Sequence, residues 1–331
     1  MTDKIFCLKP KYLDNFRCDG MKCGALCCRN AWAIYVDAKT YEKYSALGIT
    51  RHLRRAGEHW QITPNEKNCC PFLGADNLCT IQKAHGEDYL SQVCASYPRI
   101  ITRFENFMEL ALSPTCPLAA EMILLAEEPL KFEIVEADEK VLKLGANNIL
   151  QGIPQSLLPL IFDVQLAMIS ILQERRLSIE VRLIVLGFFL DSVEELIYGG
   201  KFDGATLKKL SAAYSSEIFL SEQLPLILAR IRFDATRKIL PEETERIVEN
   251  FLVNEIILNV FPCRVDGGIV KNFAVFLTVY KIFERRLQID EPLSAASDLS
   301  RKINHGDEIA QIAARIDADD MLILLEKFFG A

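Results

Sequence analysis

Apolar residues beyond residue 136 recur at intervals of three and four. Ile247 and Phe251 are four residues apart, as are Ile256 and Val260, and this spacing places apolar side chains on one face of an α-helix. Pro241 stands where such a helix would begin, with Glu242 in the first turn, where a negative charge suits the helix dipole. The pattern predicts helices over residues 156–174, 178–198, 204–213, 222–231, 241–261, 268–287 and 307–328.

The first part of the chain mixes short alternating runs with short helical ones. Alternation on both sides of Glu105 and Asn106 predicts a β-hairpin of residues 99–104 and 107–113. Further predicted strands are residues 31–37, 60–63 and 132–135. Predicted helices are residues 38–46, capped by Asp37, 50–56, 81–93 and 118–126, opened by Pro117. We therefore expect a mainly α protein, with an irregular Cys-rich N-terminal domain containing short strands at residues 1–135 and an α-helical domain at residues 136–331.

Composition narrows the classes of function. Half of the residues are hydrophobic and the net charge is −7, with the whole acidic excess lying after residue 135. An acidic chain argues against a nucleic-acid partner, because such partners need basic surfaces. No apolar run reaches the length of a membrane-spanning helix, so we expect no membrane partner. The first residues lack the apolar stretch of a secretory signal, which predicts a cytoplasmic, reducing location.

Cysteines are concentrated in the first part of the chain. Four of them follow the spacing Cys-x4-Cys-x3-Cys-Cys within one short loop, and four more follow in distinctive local contexts. In a reducing compartment, clustered thiols indicate metal binding rather than disulfides, and thiolates select zinc, copper(I) or iron–sulfur. The first domain is therefore predicted to bind metal, with these candidate ligands: Cys18, Cys23, Cys27, Cys28, Cys70, Cys79, Cys94 and Cys116.

Spacing alone leaves the kind of metal open. Eight thiolates could hold two tetrahedral zinc ions, or four of them could hold one four-iron four-sulfur cluster while the rest are structural. The adjacent Cys27 and Cys28 cannot easily aim both sulfurs at one small ion. Either one of the two binds metal while the other packs, or they serve two centres.

The first 120 residues carry these motifs in an order that resembles the flagellin lysine-N-methylases. The resemblance rests on Cys18 to Cys28, Trp32, Asp37, Cys70-Pro-Phe-Leu, Leu78-Cys79-Thr-Ile, Cys94, Tyr97-Pro-Arg99 and Ser113 to Cys116-Pro. It implies a bacterial enzyme that methylates surface lysines of flagellin, with S-adenosylmethionine as methyl donor and a four-iron four-sulfur cluster. The chain departs from the family pattern at residues 29–31 and 24–26, which leaves the substrate open.

Candidate residues for the chemistry lie near the cysteines. Arg99 could pair with the donor's carboxylate, and Trp32 could stack on its adenine. Because a lysine must lose its proton before it accepts a methyl group, Tyr97 and Asp37 are candidate catalytic residues. Each has a structural alternative, such as an ion pair for Arg99 and a helix cap for Asp37. No glycine-rich dinucleotide loop is present in the sequence.

A second hypothesis from another class fits the same residues. The cysteines could hold zinc or a cluster purely to stabilise an irregular domain, with the helices forming a protein-binding surface. This alternative is a non-catalytic interaction module.

Overall fold

The computed structural model describes residues 4–29, 32–142, 147–148, 153–236 and 240–330. In the first part of the chain, a β-hairpin lies within the larger of two sheets. The strands are β1 Phe6–Pro10, β2 Tyr35–Val36, β3 Leu53–Ala56, β4 His59–Ile62, β5 Arg99–Phe104, β6 Phe107–Leu112, β7 Phe132–Glu136 and β8 Asn147–Asn148. All of them belong to the first 150 residues.

The strands form two sheets. The larger has the order β7-β1-β6-β5-β8, and the smaller has the order β2-β4-β3. β5 and β6 are the antiparallel hairpin, with Arg99 opposite Leu112 and Phe104 opposite Phe107. β1 runs parallel to β6 and antiparallel to β7, so the start of the chain lies inside the larger sheet.

Helices form most of the remainder. The α-helices are α1 Leu26–Arg29, α2 Ala38–Ala46, α3 Thr80–His85, α4 Gln92–Ser96, α5 Pro117–Leu124, α6 Glu139–Leu142, α7 Ile161–Leu172, α8 Ile179–Tyr198, α9 Gly204–Tyr214, α10 Leu224–Arg230, α11 Glu242–Leu258, α12 Gly268–Arg286, α13 Pro292–His305, α14 Glu308–Arg315 and α15 Met321–Phe329. Short 3-10 turns cover Lys11–Asn15, Thr50–His52, Glu87–Tyr89 and Leu158–Leu160, and one π-turn covers Phe219–Gln223.

Helix α11 is the centre of the helical part. Every residue from Ile247 to Leu258 is buried, so the helix is enclosed on all sides. It packs against α5, α7, α8, α12 and strand β6. One apolar cluster therefore runs from Leu8 and Phe104 in the larger sheet to Phe251 and Phe283 in the helices.

Several predicted elements are confirmed. The hairpin has its turn at Glu105, which adopts a positive φ of 50°. Helix α2 begins after Asp37, whose side chain accepts a hydrogen bond from the Thr40 backbone N–H at 2.9 Å. Pro117 opens α5, as expected for a residue without a backbone N–H to satisfy. The chain is mainly α with short strands in its first part, whereas the division into domains at residues 135 and 136 stays a prediction.

Other predictions were wrong. Residues 50–56 form a 3-10 turn and strand β3 rather than one helix, because Gly57, at φ +62°, turns the chain into pairing with β4. The predicted helix at residues 81–93 is interrupted at Gly86, which adopts φ +84°. Residues 307–328 form two helices, since Asp320 caps a new one. The sequence analysis missed β1 and α13.

Candidate functional site

A cavity of about 340 Å³ lies among the loops of the first part of the chain. The eight cysteines predicted as metal ligands all contribute to its wall: Cys18, Cys23, Cys27, Cys28, Cys70, Cys79, Cys94 and Cys116. Every cysteine of the chain is a free thiol. The sequence separates the first and last of these thiols by almost 100 residues, and the fold brings them to one place. We call this space the thiol cavity.

Local structure explains how the thiols face one space. Gly24 and Ala25 adopt positive φ of 62° and 54°, which turns the first loop into α1, where Cys27 and Cys28 lie. The Cys70 backbone N–H donates to the Cys28 carbonyl at 2.7 Å, which ties two cysteine loops together. Cys79 and Cys116 stand immediately before α3 and α5, and Cys94 lies within α4. Five separate chain segments therefore meet at the cavity.

Burial raises the pKa of four of these eight thiols. It raises the pKa of Cys94 to about 12 and that of Cys116 to about 11, and it also raises the pKa of Cys18 and Cys79. Buried thiolates are costly without a cation, and a coordinated metal ion removes that cost by deprotonating its thiol ligands.

The Cys27–Cys28 pair differs from the other thiols. The two sulfurs lie 3.9 Å apart. The hydrogen bond with Cys28 lowers the pKa of Cys27 to about 7, while the same contact raises the pKa of Cys28. The hydrogen bond with Cys28 likewise lowers the pKa of Cys70.

Electrostatic influences fall into two groups of thiols. After burial, ionisation of Cys70 and Cys79 raises the pKa of Cys94 most. For Cys116 the corresponding neighbours are Cys23 and Cys18. Cys27 influences a member of each group, Cys18 and Cys94.

The donor set fits a soft metal in its chemistry. All the predicted ligands are sulfurs that line one cavity, and such sulfurs select zinc or iron–sulfur. Within the described residues, however, no three or more His, Cys, Asp or Glu side chains are arranged to hold a metal ion. The metal ligands therefore stay a prediction.

The remaining cysteines lie elsewhere. Cys7 and Cys263 are buried in apolar surroundings. Cys69 neighbours Cys70 in the chain but does not line the cavity, and its thiol instead donates to the Lys67 carbonyl at 3.4 Å.

A second pocket of about 480 Å³ adjoins the thiol cavity. Trp32 and Tyr97 line both spaces and so form the wall between them. Their rings meet edge to face, with centroids 5.0 Å apart. The pocket also takes in Arg99 and Arg301. We call it the arginine pocket.

The fold thus brings three of the four residues predicted for catalysis or donor binding to one pocket. Arg99 lies at the start of β5 with its guanidinium 5.2 Å from the centre of the Phe16 ring, which lines the thiol cavity. The fourth, Asp37, lines neither space.

Tyr97 and Asp37 both have structural partners. The Tyr97 hydroxyl lies 3.2 Å from the Thr115 hydroxyl, which in turn lies 2.7 Å from that of Ser113. Burial raises the pKa of Tyr97, so the phenol holds its proton at neutral pH. Burial acts to raise the pKa of Asp37, but hydrogen bonds from Thr40 outweigh it and the pKa falls below the usual range. Their catalytic roles stay predictions.

Sequence reasoning missed Arg301. It lies on α13, a helix that was not predicted and that packs against α5 next to Cys116. A signal was present: Pro292 marks a helix start, and Ala295, Leu299 and Ile303 repeat at intervals of four. Small Ala and Ser residues weakened the apolar pattern.

Comparisons with known proteins add independent information. A family model described as the FliB lysine N-methylase C-terminal domain matches residues 165–238. These residues lie in the helical part, where no motif was recognisable in the sequence. No solved structure matches the chain. Within the described residues, none of the helices combines the length and apolarity that a membrane crossing requires.

Curated relatives carry related names. The chain is 33% identical over 133 residues to a lysine-N-methylase of Salmonella choleraesuis strain SC-B67 and to one of Salmonella typhimurium strain LT2. Each match covers 37% of this chain and 33% of the relative, so the chain spans about a third of the length of these enzymes. The flagellar biosynthetic protein FliU of Salmonella muenchen is 32% identical over 133 residues, which cover 37% of this chain and 78% of that protein.

Proposed function

The chain belongs to the lysine-N-methylase family, and from that premise we propose that it is a protein-lysine N-methyltransferase that uses S-adenosylmethionine to modify flagellin. The observation that carries this proposal is the thiol cavity, which shares the wall of Trp32 and Tyr97 with the arginine pocket. A methyltransferase needs a place for its donor, and this pocket lies beside the residues by which the family was recognised.

The thiols that line the cavity are the ligands we propose for a metal centre: Cys18, Cys23, Cys27, Cys28, Cys70, Cys79, Cys94 and Cys116. A four-iron four-sulfur cluster is our first choice, and zinc is the alternative. When bound, such a centre supplies a positive charge and a fixed framework that holds the five cysteine-bearing segments together.

The arginine pocket supports binding of the methyl donor. Trp32 offers an aromatic face on which an adenine can stack, and Arg99 offers a guanidinium for a carboxylate. Tyr97 holds the Trp32 ring in place through the edge-to-face contact. Together these residues would keep water away from the donor and orient it.

Methyl transfer itself is a simple displacement. The lysine ammonium first gives its proton to solvent or to a base, because only the neutral amine is nucleophilic. The nitrogen lone pair then forms a bond to the methyl carbon while the carbon–sulfur bond breaks, and its electron pair stays on sulfur. S-adenosylhomocysteine leaves, and the methylated lysine releases or keeps a proton according to pH.

Flagellin as substrate rests on the names of relatives. One relative is a flagellar biosynthetic protein, and others are lysine-N-methylases. A cytoplasmic location, where the thiols stay reduced and flagellin is unassembled, is part of the same proposal. Nucleic acid and membrane play no part in it.

The test is methylation of flagellin in solution. Protein purified without oxygen is incubated with S-adenosylmethionine and unmethylated flagellin, and lysines are read by mass spectrometry. We expect increments of one methyl group on lysine, absent without the donor. A folded, metal-loaded protein that gives no increments would contradict the enzyme and favour the non-catalytic module; colourless, zinc-bound protein would favour it further.

A further inference from the structure

Two arginines from distant parts of the chain meet in the arginine pocket. Arg99 comes from strand β5 and Arg301 from helix α13, and both line the same space beside Trp32 and Tyr97. Helix α13 packs against α5, which begins directly after Cys116. The arginine pocket is therefore lined by residues from both the helical part and the cysteine-bearing part of the chain.

Neither guanidinium has an anionic partner within the described residues. The Nε of Arg301 is shielded from solvent and makes no hydrogen bond. Arg99 lies against the Phe16 ring, and no carboxylate in the described part of the chain pairs with it. The ion pair offered as the structural alternative for Arg99 is thus not formed there.

The Arg301 Nε–H lacks an acceptor, and a shielded N–H group without an acceptor costs free energy. A carboxylate in this pocket would offer acceptors to both arginines, since its two oxygens match the forked N–H groups of a guanidinium.

The two guanidiniums repel cationic groups, so a substrate lysine is disfavoured beside them. The ammonium and sulfonium groups of the donor must also point away from the guanidiniums, and its carboxylate is the group that suits them. An aromatic base, by contrast, can stack on Trp32, and arginine planes also stack well on such rings. The pocket therefore suits a small molecule that carries a carboxylate and a flat base, and disfavours a cationic side chain.

From this geometry we infer that Arg301, together with Arg99, binds the carboxylate of S-adenosylmethionine in the arginine pocket. This inference rests on the proposed function and adds a binding residue from the helical part that sequence reasoning missed. Arg301 acts by holding the donor, so its loss should raise the donor's KM more than it lowers kcat.

Binding measurements with and without the carboxylate test this directly. Titration calorimetry would compare S-adenosylmethionine with decarboxylated S-adenosylmethionine, which lacks only that group. We expect Arg301→Gln to weaken binding of the first by roughly 10- to 100-fold and to leave the second unchanged. Lys302→Gln, an exposed neighbour on α13, is the matched control and should change neither.

The outcomes separate the two proposals. If wild-type protein methylates flagellin and Arg301→Gln binds both donors as wild type does, the inference is overturned while the function stands. Equal weakening of both donors would also overturn it, since the loss would then not involve the carboxylate. Should Arg301→Gln fail to fold, Arg99→Gln must show the same selective loss. A wild type that binds neither donor overturns both proposals.

Discussion

The helical part and the cysteine-bearing part of this chain are stabilised in different ways. The helices share one large apolar cluster, and they also bury an ion pair of Arg182 with Glu249 at 2.8 Å. The loops around the thiol cavity rest on a small cluster of Val36, Tyr44, Ile62, Phe72 and Ile81.

The different sizes of the two apolar clusters indicate different sources of stability for the two parts. A large core can hold a domain by apolar burial, whereas a small one generally needs a disulfide or a metal. The structure contains only free thiols, and eight of them face one cavity. The loops around the thiol cavity are thus expected to depend on bound metal and the helical part to depend on packing.

Removal of a metal ligand should give the largest effect. Cys70→Ser is expected to unfold the loops around β4 and α2, because binding of structural zinc contributes about 10–16 kcal/mol in small metal domains. Amide hydrogen exchange would show lost protection in β4 and α2 and retained protection in α11 and α12. Unchanged protection in β4 would show that this part does not depend on metal.

The second largest effect is expected in the helices. Glu249 is buried and accepts hydrogen bonds from Arg175 and Arg182. Glu249→Gln removes the charge and leaves two cations without a full partner, which should cost about 3–5 kcal/mol of the free energy of unfolding. Urea denaturation followed by circular dichroism measures it, and metal content should stay unchanged. The exposed Arg176→Ala is the control, and a loss no larger than in that variant would contradict the expectation.

Sequence alone predicted much of both parts, and the reason is that local signals sufficed. The hairpin of Arg99–Phe104 and Phe107–Leu112 has alternation and a turn, and α2 has its cap at Asp37. The cysteines were recognisable as a set because their residue type has few uses in a reducing cell. A shared site for these cysteines could be predicted from their residue type alone, without a prediction of the loop structure that brings them together.

Features that depend on distant contacts were missed. β1 is a strand because it pairs with both β6 and β7, more than 90 residues away. Residues 53–56 are a strand because β4 offers a partner, although their own pattern suggested a helix. Arg301 belongs to the site only because α13 packs on α5, which no local pattern reveals.

The stability of the helical part should depend on pH through one buried carboxyl, that of Glu255. Burial raises the pKa of Glu255 from its ordinary 4.5 to about 8. Below pH 4.5 this carboxyl is protonated in both the folded and the unfolded protein, and its contribution to the free energy of unfolding is complete. As the pH rises from 4.5 towards 8, the carboxyl ionises in the unfolded protein but not in the folded protein, so this contribution is lost. Glu255→Gln removes this loss, so the helical part should gain on the order of a few kcal/mol relative to wild type near pH 8.

Thermal denaturation between pH 5 and pH 8 would measure that gain. Glu243→Gln, an exposed position on the same helix, serves as control and should follow the wild-type curve. If Glu255→Gln also follows the wild-type curve, this carboxyl does not remain protonated in the folded protein.

The smallest effect is expected at the cap of α2. Asp37→Ala removes the acceptor of the Thr40 N–H and should lower stability by about 1 kcal/mol, whereas Asp37→Asn keeps an acceptor and should cost little. Equal losses in both variants, measured by denaturation, would contradict the capping role. Because Asp37→Asn stays folded, any fall in its methyl transfer would report on the carboxylate charge itself.

The most direct test of a metal-dependent first part is the metal content of two neighbouring variants. Cys69 and Cys70 adjoin in the chain, but only Cys70 lines the thiol cavity. Protein purified without oxygen would be analysed for iron, zinc and sulfide, with its absorption spectrum. We predict full wild-type metal in Cys69→Ser and a large loss in Cys70→Ser; full metal in both variants, or none in the wild type, would contradict the account.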